Sequence, residues 1–257
     1  MNKMIQTVQR ISATLGMAAA LGIASSAAQA ATPHTWDFGS GAGGNGSYPS
    51  DDRRYVSSEG LEVAISGWYG RDTSSSTLTE STALRHWGGG LGLDRNNNDE
   101  HTVDNNGRDE LIAFVFDEAV SLTEMKFGWY ENDSDATILY QTDASAGFSG
   151  LGGTSISGLT SNGYSLLGNL IDPGTSTSSI PGDLDAPAPA TPVYSKVWLV
   201  GAYLQGVTGN SSGYAGAFDS FKIKTLVAQR MPGTSVPLPA TLALLGLGMM
   251  AMRRRAV

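Results

Sequence analysis

Leu111-Ile112-Ala113-Phe114-Val115-Phe116 and, a few residues later, Ser121-Leu122-Thr123-Glu124-Met125-Lys126-Phe127-Gly128-Trp129-Tyr130 decide the fold class of this chain. In the second stretch Met125, Phe127 and Trp129 alternate with Glu124, Lys126 and Gly128, the period of two that turns one face of a strand to a core and the other to water. Ile112 to Phe116 is apolar on both faces, so this strand is expected in the middle of the core. Outward from this pair the same rhythm recurs at Thr35 to Phe38, Arg54 to Ser58, Leu61 to Trp68, Ala136 to Gln141, Lys196 to Tyr203 and Phe218 to Leu226, with Gly, Asn, Asp and Ser between. Nothing in this body sustains a helical period. The sequence therefore predicts an all-β domain over residues 31–226, a two-sheet antiparallel β-sandwich of jelly-roll type. Residues 172–192, rich in Pro, Ser and Thr, are expected as a surface loop between two strands, because proline has no N–H to give to a ladder. Residues 227–235 are expected as a stalk.

The two ends read differently. Lys3 and Arg10 precede an apolar stretch from Ile11 to Ile23, and Ala28-Gln29-Ala30 supplies a small-x-small cleavage pattern. Residues 1–30 are thus expected to be a secretory signal helix that signal peptidase removes after Ala30. At the other end Val236-Pro237-Leu238-Pro239 leads into the apolar run Ala240 to Met252 and then Arg253-Arg254-Arg255. Val236 to Met252 as a helix reaches roughly 25 Å at about 1.5 Å per residue. That is short for a hydrocarbon core of about 30 Å, so residues 236–257 are expected to hold the protein at a membrane transiently through a short hydrophobic helix. The arginine cluster resists translocation and keeps its end on the cytoplasmic side.

The tail resembles the C-terminal sorting signal of the PEP-CTERM proteins, which exosortase handles. The resemblance rests on Val236-Pro237-Leu238-Pro239, on Leu244-Leu245-Gly246-Leu247-Gly248 within the apolar run, and on Arg253, Arg254 and Arg255. Leu238 departs from it, standing where the motif usually has an acidic residue. In the body, Asp104-Asn105-Asn106-Gly107-Arg108-Asp109-Glu110-Leu111, then Ala119-Val120-Ser121-Leu122 and Gly128-Trp129, are similar to the globular part of a family of exosortase-dependent surface proteins. The resemblance implies export in a Gram-negative bacterium, temporary anchoring, cleavage near the Pro-x-Pro strip, and release to the cell surface or its polysaccharide matrix. It implies no catalytic activity.

Charge narrows the partners. The full chain carries a formal net charge of −8; without Lys3, Arg10 and the three terminal arginines, about eleven basic side chains face 24 acidic ones, a net of about −13. Such a field repels phosphates, so no nucleic-acid partner is expected. The absence of Cys excludes disulfide staples, thiol catalysis and thiolate metal sites, and leaves the core to hold the domain together.

Candidate sites are few. Gly39-Ser40-Gly41-Ala42-Gly43-Gly44 has dinucleotide-loop spacing but lies in a Gly, Ser and Asn context with no helix to follow, and is expected as a loop. Asp94, Asn96 and Asn98 have the alternate spacing of calcium ligands, with Asp99 and Asp104 following; Ca²⁺ takes hard oxygen donors of this kind. Asp99 stands where an EF-hand needs Gly and Asn105 where it needs Glu, so any calcium loop here is of another type. Asp133-Ser134-Asp135 after Glu131 is a second acidic knot. No H-E-x-x-H pattern occurs, and a non-catalytic role is expected. The competing expectation is a glycan-binding module or carbohydrate-active enzyme, calcium-dependent or not, in which Trp68 or Trp129 stacks on sugar rings.

Overall fold

Leu111 to Phe116 and Ser121 to Tyr130 lie in a single strand of 22 residues, Asp109–Tyr130, and most of the sheet is laid against it. The computed structural model describes residues 32–39, 46–47, 53–70, 76–94, 101–208 and 218–232. In chain order the strands are β1 (His34–Asp37), β2 (Gly46–Ser47), β3 (Arg54–Val56), β4 (Glu62–Gly70), β5 (Thr79–Ser81), β6 (Leu84–Trp87) and β7 (Gly90–Leu93). There follow β8 (Val103–Asp104), β9 (Asp109–Tyr130), β10 (Ala136–Gln141), β11 (Tyr164–Leu170), β12 (Thr177–Ser179), β13 (Ser195–Ala202), the short helix α1 (Gln205–Thr208) and β14 (Ser220–Arg230).

The first half of β9 pairs with β4 on one side and β13 on the other, and β10 and β11 continue the sheet beyond β13. Its second half pairs with β14 and with the edge strand β12. Between the halves the strand turns a corner. The β13 register jumps from Ser195↔Val120 to Val197↔Val115, so β13 has only Lys196 where β9 has Phe116, Asp117, Glu118 and Ala119. The Trp198 indole N–H fills this irregularity, donating to the carbonyls of Val120 at 3.2 Å and Ser195 at 3.1 Å. A bulge of this kind bends a strand without ending it.

Because β9 continues through the bend, hydrogen bonds join the strands into one antiparallel sheet, not the two separate sheets the sequence predicts. Nothing at Asp117-Glu118-Ala119 stops the strand: no Gly, Pro or Asn supplies a turn. Both halves still feed one core. Ile112, Phe114 and Phe116 meet Leu122, Met125 and Phe127 in a cluster with Trp36, Phe38, Phe221 and Leu226. Phe127 stacks on Phe221 at 4.1 Å, and Trp36 meets Phe116 edge-on at 5.1 Å.

The opposite face of the first half explains its unbroken apolar run. Leu111 and Ala113 join Leu139, Val197 and Leu199 in a second cluster, covered by Leu151, Ile156 and Leu159 from the connection after β10 and by Leu204 before α1. A strand buried on both faces has no use for polar residues.

Three further differences from the sequence reading have local causes. β14 runs to Arg230, so residues 227–230, expected in the stalk, are strand; Ala228 is buried and pairs with His34 and Leu122. The segment 172–192 carries β12, which donates and accepts along Glu124 to Lys126, and buries Ile180, while Pro187, Pro189 and Pro192 lie outside any strand. The β6–β7 hairpin has no counterpart among the strands expected from sequence, because Gly88, Gly89, Gly90 and Gly92 interrupt any alternation. Gly90 and Gly92 answer to close packing: a Cβ on Gly90 would overlap the Ile223 carbonyl oxygen and one on Gly92 that of His101, just as one on Gly128 in β9 would overlap that of Gly89. The signal helix, the hydrophobic tail helix and residues 233–235 of the stalk lie outside the described residues. Among the described residues no helix is long and apolar enough to cross a membrane.

Candidate functional site

Where β9 ends, the chain passes through Glu131, Asn132 and Asp133 in a tight reversal. Asn132 takes the left-handed conformation (φ 60°), and the Asp133 N–H donates to the Glu131 carbonyl at 2.7 Å. Asn is among the residues that tolerate this conformation. The reversal brings Asp133 beside Asp219 at the start of β14, and Asp172, itself left-handed (φ 45°), arrives from the end of β11.

Four aspartates from three parts of the chain thus share one corner. Asp135 accepts the Asp172 N–H at 2.7 Å, and Asp219 accepts the Asp135 N–H at 2.9 Å through one oxygen and the Asn105 amide at 2.6 Å through the other. Asn105 returns the bond, accepting the Asp219 N–H at 2.9 Å. Asp135 and Asp219 are each only 4% exposed. Among the described residues none of these four carboxylates forms an ion pair with Lys or Arg.

Burial and like charge act together here. Desolvation, reinforced by Asp133, Asp172 and Asp185 against the backbone bond from Asp172, pushes the Asp135 carboxyl up to about 6. Desolvation and the charges of Asp135 and Asp133 push Asp219 up to about 7. A hydrogen bond shared with Asp133, then that neighbour's charge, raises Asp172. Asp133, Asp135 and Asp172 each present an oxygen within 4.8 Å of the others. Three such oxygens are close enough to share one hard cation, and a calcium ion would take its remaining ligands from carbonyls or water.

The residues singled out from sequence are placed as follows. Asp94 closes β7 and pairs with the Arg85 guanidinium at 3.1 Å, while its N–H donates to Ala83. Asn96, Asn98 and Asp99 lie outside the described residues, as do Gly41 to Gly44 of the glycine loop. Asp104 is buried in β8 and accepts the Asn106 N–H at 2.9 Å; its own N–H donates to Glu110. Trp68 offers no stacking face: it is 4% exposed, donates its indole N–H to Ser66 and packs edge-on against Phe148 in the second cluster.

Trp129 is different. It is half-buried, with the Lys222 ammonium 4.9 Å over its ring and the His101 ring edge-on at 6.1 Å. Lys222 lies 5.4 Å over Trp87 as well, so two indoles hold one lysine, whose burial pushes its ammonium below the ordinary lysine value. Trp129 also lines a cleft of about 130 Å³ with Phe218, Asp104, Glu131 and Asn132.

The acidic corner was half legible. Asp133-Ser134-Asp135 shows in the sequence, but Asp172 and Asp219 join it only through the topology, and no local pattern around Phe218-Asp219-Ser220 marks the second of these.

Ala28, Ala30, Val236, Pro237, Leu238, Pro239, Arg253, Arg254 and Arg255 lie outside the described residues, and for the tail the comparison with known proteins speaks instead. No curated protein and no solved structure matches the chain. Residues 235–256 match the family model of the PEP-CTERM protein-sorting motif, which marks the chain as a PEP-CTERM sorted protein.

Proposed function

We propose that this chain is a non-catalytic surface or extracellular-matrix protein of a Gram-negative bacterium, exported by the signal segment 1–30 and held in the inner membrane by its tail until exosortase releases it. The observation that carries this reading is the match of residues 235–256 to the sorting motif. A tail of Pro-x-Pro, a marginal apolar span and three arginines suits a temporary hold: the arginines fix orientation, the short span limits the grip, and the prolines present extended backbone to a processing enzyme. The domain thus displayed is sandwich-like in its packing, since both halves of β9 face one core. Its acidic surface favours solubility once released.

The test is genetic. In the native host, removal of the exosortase should leave the protein in the inner-membrane fraction with residues 236–257 attached, while the intact strain delivers it outside. Equal release from both strains would refute the reading.

A further inference from the structure

The geometry points to the cleft between Trp129 and Phe218 as a binding site for one ring of a neutral saccharide. The inference stands apart from the sorting reading, since the cleft would bind whether or not the tail is cut.

The cleft, about 130 Å³ and open to solvent, combines an aromatic wall with a polar rim. Trp129 is not free to fold away. Its ring is braced by Lys222 and by the His101 edge, and its backbone pairs with β14 at Lys222. Phe218 lines the same cleft at 53% exposure. Glu131 and Asn132, both exposed, line the cleft with these rings, and the buried Asp104 lies behind them, accepting the Asn106 N–H. A pyranose has the matching character: C–H groups on its faces pack on aromatic rings, and its rim of hydroxyls donates to carboxylates and exchanges bonds with an amide.

Other ligand classes fit worse. An anion, phosphate and uronate included, would meet Glu131 at the rim and the buried Asp104 behind it, with the acidic corner of Asp133, Asp135 and Asp219 close by in sequence and through Asn105. A cation would meet the Lys222 ammonium already seated over the Trp129 ring. A purely apolar ligand would strip water from the rim without replacing its hydrogen bonds, which is costly. A neutral polyhydroxy ring avoids all three penalties. A single small cleft gives weak affinity, on the order of 1 mM, and many displayed copies would multiply it.

The test uses the full chain in a non-glycosidic detergent, titrated with neutral gluco-, galacto- and manno-oligosaccharides at up to about 10 mM, with a polyuronate and a glucosamine oligomer as charged comparisons. Ligand-observed NMR and tryptophan fluorescence report binding. At least one neutral series should bind, the charged comparisons should bind more weakly, and Phe218→Ala and Asn132→Gly should each weaken binding several-fold with an unchanged unfolding midpoint. Asn132→Gly removes the amide where glycine accepts the left-handed backbone, and Phe218 is exposed, so both variants are expected to fold. Trp129→Ala should abolish binding; if it does not fold, the decision rests on the other two. No binding by any neutral series, equal binding by folded Phe218→Ala and Asn132→Gly, or tighter binding of a charged oligomer would overturn the inference.

Discussion

Replacing Asp135 by Asn probes the acidic corner with little change of shape. The amide oxygen can still accept the Asp172 N–H, and the new N–H₂ can donate to the neighbouring carboxylates of Asp133 and Asp172. What disappears is the charge. The Asp135 carboxyl titrates near 6 in the fold against 3.8 in the unfolded chain, so the folded state holds its proton more tightly. A raised carboxyl pKa contributes stability fully below the unfolded value and loses it as pH rises through the folded value. At pH 8 the ionised side chain therefore costs the fold up to about 3 kcal/mol, at about 1.36 kcal/mol per pKa unit, and about 1 kcal/mol if water reaches the corner.

Urea unfolding followed by tryptophan fluorescence should show Asp135→Asn more stable than wild type at pH 8 by about 1–3 kcal/mol, with the gain fading towards pH 4. His34, whose burial and nearby Arg230 lower its pKa, changes stability in the opposite sense below pH 6.5; it is common to both proteins and cancels in the difference. Millimolar calcium at pH 8 should raise the wild-type midpoint, because a cation replaces the missing protons, and should do less for the variant. Equal destabilisation of Asp135→Asn at pH 8 and pH 5, with no calcium effect on either protein, would refute this account of the corner.

Other perturbations test the fold and the tail. Trp198→Phe removes the indole N–H that Val120 and Ser195 share at the bend of β9 and should cost about 1–3 kcal/mol in urea unfolding; a loss below about 0.5 kcal/mol would mean that the bend does not need it. Gly92→Ala forces a Cβ onto the His101 carbonyl and should cost about 2–3 kcal/mol, read as earlier thermal unfolding; an unchanged midpoint would show that β7 can move aside. Changing Arg253, Arg254 and Arg255 together to Ser should reduce retention in the inner-membrane fraction of an exosortase-lacking host, and undiminished retention would remove the arginines from the anchoring argument.

The strands that sequence revealed were those whose alternation follows from one wet and one dry face, such as Leu61 to Trp68 and Ser121 to Tyr130. Ile112 to Phe116 announced burial on both faces, and the two clusters it separates are the cause. The bend was hidden because Asp117-Glu118-Ala119 looks polar enough for a turn yet contains no residue that enforces one. β6 and β7 were hidden because glycine there serves contact with a neighbouring backbone, which no local pattern encodes. Half of the acidic corner stayed hidden for a related reason: Asp219 meets the Asp133-Ser134-Asp135 knot across 84 positions of sequence, through strand order alone. Trp68 and Trp129 look alike in sequence, each followed by Tyr on an alternating strand, and only packing against Phe148 separates the buried ring from the accessible one.

The account turns on the tail as a temporary hold. Intact-mass spectrometry of the protein released by its native host measures this directly. The expected species begins at Ala31 and ends within or next to residues 236–239, without Arg253, Arg254 and Arg255. A released species that still ends at Val257 would contradict the account.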